Sequence, residues 1–339
     1  ILSGLVGSEM CIRDRSGMLY HCDHVRLAYR LAPLDVYTPL DMRAPGAATG
    51  VYALESAMDE LAWAAGVDPV QLRLTNYAET NQNEGKPYSS KELRACYQQG
   101  ADAFGWSKRS PQPRSMREGD QLIGYGMATG VWEAMQMPAS ARASFTADGR
   151  LIVASATCDI GPGTATVMTQ IAADVLGMEP SQVEFRLGDS SLPKAPLQGG
   201  SFTVSSVGSA VREACMALAD KLCEAARQWP EAPFSDGAAL RFSAGRVQQG
   251  EDASRAVELS ALLARHGSLE VEVQAQPGKQ RERYASASHS AVFVEVQVDE
   301  ALGTVRVTRV VSAIAAGRVI NPKTCLLYTS DAADDTPCV

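Results

Sequence analysis

Two glycine-rich stretches each run straight into a helix-like segment, and they are the residues of this sequence best suited to chemistry. They are Asp159-Ile160-Gly161-Pro162-Gly163-Thr164 and Gly199-Gly200-Ser201-Phe202-Thr203-Val204-Ser205-Ser206. Glycine lets a backbone approach a ligand closely, and the N–H groups at a helix start, at the positive end of its dipole, favour an anion. A phosphate-bearing cofactor suits such a cradle. Neither stretch follows a common nucleotide-binding pattern, since no Lys-Ser or Lys-Thr closes a Walker loop and no G-x-G-x-x-G joins a strand to a helix. The alternative is a pair of ordinary turns or helix caps, for which glycine serves equally well.

A third candidate is Arg43, within Asp41-Met42-Arg43-Ala44-Pro45-Gly46. An arginine in an apolar turn bounded by Pro and Gly is either a structural ion-pair partner or a receptor for an anion. Metal ligation by side chains finds little support. His21 and His24 have only Cys22 and Asp23 beside them, and the cysteines contain no C-x-x-C spacing for zinc or an iron–sulfur cluster.

These candidates need elements to hold them. Val51, Leu54, Met58, Leu61 and Ala65 recur at helical spacing and stop at Gly66, and Asp68-Pro69-Val70-Gln71 reads as a capped start of a second helix. A third helix is expected over Lys91–Phe104, with Ser90 as its N-cap and Gly105 after its end. Ala139–Thr146 and Leu151–Ala156 flank Asp148-Gly149, a hairpin signal. Thr164–Leu176 reads as a helix, Val183–Leu187 as a strand, and the second glycine stretch feeds a helix from about Ser206 to Gln228. Ala291–Val298 and Thr304–Val311 form another hairpin. Hairpins mixed with helices favour an α+β fold.

The 339 residues, 45 % hydrophobic and 21 % charged, are enough for a sizeable core in two domains. A net charge of −8 argues against a nucleic-acid footprint, and no apolar run reaches membrane-spanning length. The Ser, Pro, Lys and Arg of Ser107–Arg117 read as a linker, which places a domain boundary there and divides 16–115 from 116–324. The ends stand apart. Glu9–Asp14 and Cys325–Ser330 back-translate to reverse complements of one another, an inverted repeat similar to a transposon adapter used in sequencing libraries. Residues 1–15 and 325–339 are therefore expected to be adapter-like, with the natural polypeptide extending both ways, and carry no weight in the fold reasoning.

Taken in order, Met42-Arg43-Ala44-Pro45-Gly46, Asp159–Thr164, Gly199-Gly200-Ser201-Phe202 and Ala316–Thr324 resemble the large molybdenum-binding subunit of the xanthine dehydrogenase/aldehyde oxidase family. The likeness runs over Ser16–Thr324 and is greatest to bacterial aldehyde dehydrogenases that carry molybdopterin cytosine dinucleotide. It implies a two-part molybdopterin-binding domain, incomplete at both ends, in a hydroxylase of aldehydes or N-heterocycles that uses water-derived oxygen. Molybdenum would be held through the pterin, with no metal ligand from the protein. Electrons would pass to a small subunit carrying [2Fe–2S] clusters and on to FAD, often on a third subunit.

By the same resemblance Arg43 orients substrate or stabilises charge on its oxygen. Gly161, Pro162 and Gly163 match one cofactor segment, Thr203, Val204 and Ser205 a second, and Arg318, Val319, Ile320, Asn321, Pro322, Lys323 and Thr324 a third. Val131, Trp132, Glu133 and Gln136 fall where relatives line the substrate channel, although relatives often carry basic or aromatic residues there. The family's catalytic glutamate lies near the subunit's C-terminus, past the matching region, and none of Glu133, Glu295 or Glu300 takes its place. A carbon monoxide dehydrogenase or N-heterocycle hydroxylase of the same architecture is the alternative within the family, and a non-catalytic nucleotide-binding scaffold subunit is the alternative outside it. Substrate, final electron acceptor and compartment, cytoplasm or periplasm, stay open.

Overall fold

The computed structural model describes residues 15–28, 30, 32–37 and 44–323. In chain order the first elements are helices α1 (Arg15–Leu19), α2 (Ala47–Ala65) and α3 (Pro69–Thr75), short strands β1 (Thr80–Asn81) and β2 (Lys86–Pro87), helix α4 (Leu93–Phe104), and strands β3 (Arg117–Glu118) and β4 (Gln121–Glu133). Next come strands β5 (Ala139–Phe145) and β6 (Leu151–Ala154), helix α5 (Thr164–Leu176), strand β7 (Val183–Arg186) and helix α6 (Thr203–Arg227). Strands β8 (Leu240–Ser243), β9 (Arg246–Gln249) and β10 (Asp252–Glu258), helix α7 (Leu259–His266), strand β11 (Glu270–Ala275), helix α8 (Gln280–Arg283) and strands β12 (Ala287–Asp299) and β13 (Thr304–Ala315) complete the order. The fold is α+β. Two compact units share the described residues, one built from those up to Ala134 with Lys279–Arg318, the other from Met135–Gly278 with residues 319–323.

The first unit is an antiparallel sheet in the order β13-β12-β4-β3, covered by helices. Along β12 the inward positions His289, Ala291 and Phe293 are buried and alternate with less buried ones, the period of two that a half-buried strand requires. Helix α4 lies directly on this face. A Cβ at Gly100 would stand 2.5 Å from Phe293 Cε2, so the absence of a side chain sets the helix-to-sheet distance. Helices α2 and α3 follow the sequence signals. Gly66 ends α2 in the left-handed conformation, and the Asp68 carboxylate caps α3 by accepting from Val70 N at 2.9 Å and Gln71 N at 3.1 Å.

Helix α4 starts at Leu93, with Glu92 as its N-cap and no side-chain cap, where the sequence points to Ser90. Residue 91 is committed elsewhere. Its carbonyl accepts from Tyr77 OH at 2.9 Å, and its Nζ donates to Met18 O and Ala78 O. The central strand β4 has no counterpart in the sequence reading. Its glycines 124, 126 and 130 dilute the β signal that packing supplies in the folded protein.

In the second unit, β11-β5-β6-β7 form a sheet whose β6/β7 pair is parallel and connected through α5. The β5/β6 hairpin turns at Asp148-Gly149 as its sequence signals. The long helix α6 packs against this sheet, and Ala139, Ala141 and Ala143 of β5 with Ala210 and Ala214 of α6 keep the two close. Helix α6 begins at Thr203, one turn before the expected start, and the hairpin β12/β13 extends beyond its expected ends on both strands. A small sheet β10-β9-β8 and helix α7 close the far side of the core.

Candidate functional site

The first glycine stretch follows β6. Gly161 has φ 118° and Gly163 φ 82°, conformations that disfavour any residue with a side chain, and Gly163 is the N-cap of α5. The Asp159 carboxylate shapes the turn by accepting from Gly161 N at 2.9 Å and Gly163 N at 3.3 Å. The second stretch precedes α6. Gly200 has φ 66° and Ser201 φ 60°, and a Cβ at Gly200 would come within 2.7 Å of Met135 Cε and 2.9 Å of the Phe202 ring. Thr203, Val204 and Ser205 belong to the first turn of α6 and not to the turn before it.

One side chain joins the two stretches. Gln198 Oε1 accepts from Thr203 Oγ1 at 2.8 Å and Thr157 Oγ1 at 3.3 Å, which links the start of α6 to the strand end that leads into Asp159–Gly163. Both helices also pack on each other, and a Cβ at Gly208 of α6 would lie 2.9 Å from Ile171 Cδ1 of α5. A cavity of about 360 Å³ beside these turns is lined by Thr157, Cys158, Asp189, Ser190, Leu197 and Gln198.

The fit to an anionic, phosphate-bearing group rests on the helix starts. Neither α5 nor α6 has a side-chain cap or an acidic residue in its first turn, which leaves the first-turn N–H groups to an anion, and the carboxylate at the α5 start is that of Asp159, on Gly163 N. Open space faces the α-carbon of Gly161, where a Cβ would meet nothing within 4 Å. Asp159 is the qualifying feature, because it engages two loop amides and leaves the helix starts as the donors. Among the described residues, no group of three or more His, Cys, Asp or Glu could hold a metal ion.

The other positions singled out by sequence are distributed between the units. Arg43 and Thr324 lie outside the described residues. Val131, Trp132 and Glu133 end β4 in the first unit. Val131 is buried, and Glu133 Oε2 accepts from Arg15 Nη1 at 2.9 Å, with the Arg15 guanidinium 5.6 Å from the Trp132 ring centroid. Arg15 itself is 1 % exposed, a well-packed position for the last residue of the segment that the adapter-like reading sets aside. Gln136 belongs to the second unit. Of the third matched segment, Arg318 is exposed and assigned to the first unit, Val319 is exposed, and Asn321 is buried in the second. Pro322 and Lys323 open a helical turn.

The sequence reading missed a buried polar network in the first unit. Arg73 Nε donates to Glu55 Oε2 at 2.8 Å, Arg73 Nη1 to Pro69 O at 3.0 Å and Arg73 Nη2 to Glu55 O at 3.2 Å. Glu55 also accepts from Thr129 N at 2.6 Å and from Tyr20 OH, and Tyr97 OH is 2.6 Å from Thr129 Oγ1. Burial raises the Tyr20 hydroxyl well above its usual range, and Tyr97 behind it likewise. Burial works against the Arg73 charge, but Glu55, Tyr20 and Asp59 together outweigh it and hold the guanidinium protonated. The available signal was Glu55 itself, a charge four residues after Val51 and three before Met58 on the apolar stripe of α2.

Comparison with known proteins adds to this geometry. The family described as molybdopterin cofactor-binding domain matches residues 8–77 and again 99–326. The molybdenum-binding subunit PaoC of aldehyde oxidoreductase from Escherichia coli (strain K12) is 36 % identical over 314 residues, which is 92 % of this chain and 41 % of PaoC. A putative xanthine dehydrogenase molybdenum-binding subunit, XdhA, from the same organism is 27 % identical over 88 % of this chain and 41 % of its own length. The chain thus spans about two fifths of these relatives. Among solved structures, reconstituted CO dehydrogenase from Oligotropha carboxidovorans superposes with a TM-score of 0.69 at 18 % identity, covering 83 % of this chain and 38 % of that one. That likeness is one of fold.

Proposed function

We propose a function from one established premise: this chain belongs to the molybdopterin cofactor-binding domain family, as part of a molybdenum-binding large subunit of the xanthine dehydrogenase/aldehyde oxidase type. The enzyme it serves oxidises aldehydes with oxygen derived from water. The second unit's contribution is to hold a molybdopterin dinucleotide at the α5 start, which Gly161, Pro162 and Gly163 shape, and at the first turn of α6 at Thr203, Val204 and Ser205. The segment from Arg318 to Thr324 supplies a third contact. Bound there, the cofactor would supply the two-electron redox chemistry. This chain's residues bind and orient it, and Arg43 orients the substrate or stabilises charge on its oxygen. Trp132 and Glu133 contribute to the wall of the substrate channel, while Val131 is spent on the first unit's core.

The observation that carries this reading is the pair of helices α5 and α6, the first entered through Gly161 and Gly163 and the second through Gly200 and Ser201, all at positive φ, and both helices without a side-chain cap or first-turn acid. The name of PaoC favours an aldehyde as substrate, and the resemblance of the sequence motifs favours the cytosine dinucleotide form of the cofactor. Partners are then a small iron–sulfur subunit and an FAD subunit. Among the described residues no helix is long and apolar enough to cross a membrane.

The test is chemical analysis of the purified holoenzyme followed by a substrate panel. Stoichiometric molybdenum, released cytosine nucleotide and turnover of aromatic aldehydes are expected. Turnover of carbon monoxide or N-heterocycles in place of aldehydes would support the other members of the architecture. Bound nucleotide without molybdenum would replace the proposal with a scaffold role.

A further inference from the structure

We propose that Gln136 is a positioning residue that fixes the first turn of α6, and through it the second cofactor-holding stretch, and does not face substrate. The inference rests on the reading of that turn as a cofactor contact, and it follows from how completely the Gln136 amide is engaged. Its Nε2 donates to Ser205 O at 2.9 Å and to Ser209 Oγ at 3.2 Å, and its Oε1 accepts from Gly278 N at 3.1 Å. The orientation of this amide is unambiguous, since exchanging its oxygen and nitrogen would set two acceptors together at Ser205 and two donors together at Gly278.

The residues on either side of Gln136 are fastened to the same turn. Met137 N donates to the buried Ser206 Oγ at 2.9 Å, and Met135 O accepts from Ser205 Oγ at 2.6 Å. Three consecutive residues of an extended segment thus grip two consecutive residues at a helix start. Ser209 Oγ also donates to Ser205 O at 2.6 Å, so the Ser205 carbonyl is the hub of the arrangement. Met135 further touches the space over Gly200, where a Cβ would meet its Cε at 2.7 Å. A shift of the 135–137 segment would therefore move the glycine turn and the helix start together.

Two substitutions in the holoenzyme separate the possibilities. Gln136→Met keeps the length and removes every hydrogen bond. Gln136→Glu keeps an acceptor for Gly278 N–H and places a carboxylate oxygen against Ser205 O. Hydrogen–deuterium exchange is read separately at the Ser206–Ser209 amides and at Gly278, with molybdopterin content per folded protein and KM of the retained enzyme. The expected result is faster exchange at both places for Gln136→Met, and at Ser206–Ser209 alone for Gln136→Glu. Both variants should lose cofactor several-fold, with KM unchanged for the molecules that keep it.

A changed KM or substrate preference at wild-type protection and cofactor content would overturn the proposal and put Gln136 in the channel wall. Lost cofactor with unchanged exchange would overturn it by making Gln136 a direct cofactor contact, leaving the function of the turn intact. Faster exchange with full cofactor content would also overturn it, and would place the fault in the assignment of the α6 start to the cofactor.

Discussion

Arg73 on α3 and Glu55 on α2 form an ion pair with 0 % and 4 % of their side chains exposed, and Glu55 reaches past the pair to take the backbone N–H of Thr129. One carboxylate therefore joins two helices to the outer edge of a sheet strand. Arg73 also pairs with Asp59 at 2.8 Å, so it is removal of Arg73 that leaves an uncompensated charge, Glu55, in the core, which costs about 3–5 kcal/mol, whereas an exposed pair contributes under about 1 kcal/mol. Arg73→Met is expected to lower the unfolding free energy of the purified protein, read from urea denaturation, by an amount in the larger range. Arg94→Ala, which breaks the exposed pair with Glu79, is the control and should fall in the smaller. Equal effects would contradict this account of the network.

Acid sensitivity should come partly from His289. It is 2 % exposed, packs edge-on against Tyr88 at 5.2 Å between ring centroids, and is pushed down to about 3, first by burial and then by the Lys91 ammonium. The unfolded chain protonates its histidines near pH 6.5, so unfolding takes up a proton that the folded state refuses. Stability contributed by the neutral ring is complete above about pH 6.5 and declines as the pH falls toward 3. His289→Leu should flatten this limb of the urea-midpoint profile relative to the wild type. Parallel profiles for the two proteins would show that His289 titrates alike in both states.

The first glycine stretch can be separated from an ordinary turn by substitution. Gly163→Val forces a β-branched residue to φ 82° and crowds the α5 start, so the holoenzyme should lose molybdopterin. Asp148→Asn, in the hairpin turn where Asp148 bonds Thr146 Oγ1, should keep full content. Molybdenum and released nucleotide are measured against folded protein by circular dichroism. Full occupancy in Gly163→Val would remove this stretch from the cofactor contacts.

Arg43→Ala in the holoenzyme should lower turnover with molybdenum near normal. Loss of a donor to developing charge costs roughly 3–4 kcal/mol, or a few hundredfold in rate. If metal and activity fall together, Arg43 has a structural role.

Local signals carried the sequence reading where the physics is local. The Asp68 cap, the Gly66 and Gly105 helix ends, the Asp148-Gly149 turn and the Thr164–Leu176 helix are each set by residues within a few positions of one another. Strand β4 was not legible because its pairing partner β12 lies more than 150 residues away in sequence, and register at that distance is a tertiary property. The partners of Glu55 and Gln136 were hidden for the same reason. A sequence displays that Glu55 stands in an apolar stripe, and the identity of the cation that makes this tolerable depends on how α3 folds back.

Asp159 bears on the thermodynamics of any ligand at the first glycine stretch. Its carboxylate fastens the amides of Gly161 and Gly163 from within the chain, so the turn is held in shape by its own residues. Ordering a free backbone costs about 1–2 kcal/mol of entropy per residue. A turn already ordered by Asp159 asks a ligand for less of this, so that binding energy goes into affinity and little of it into rearrangement.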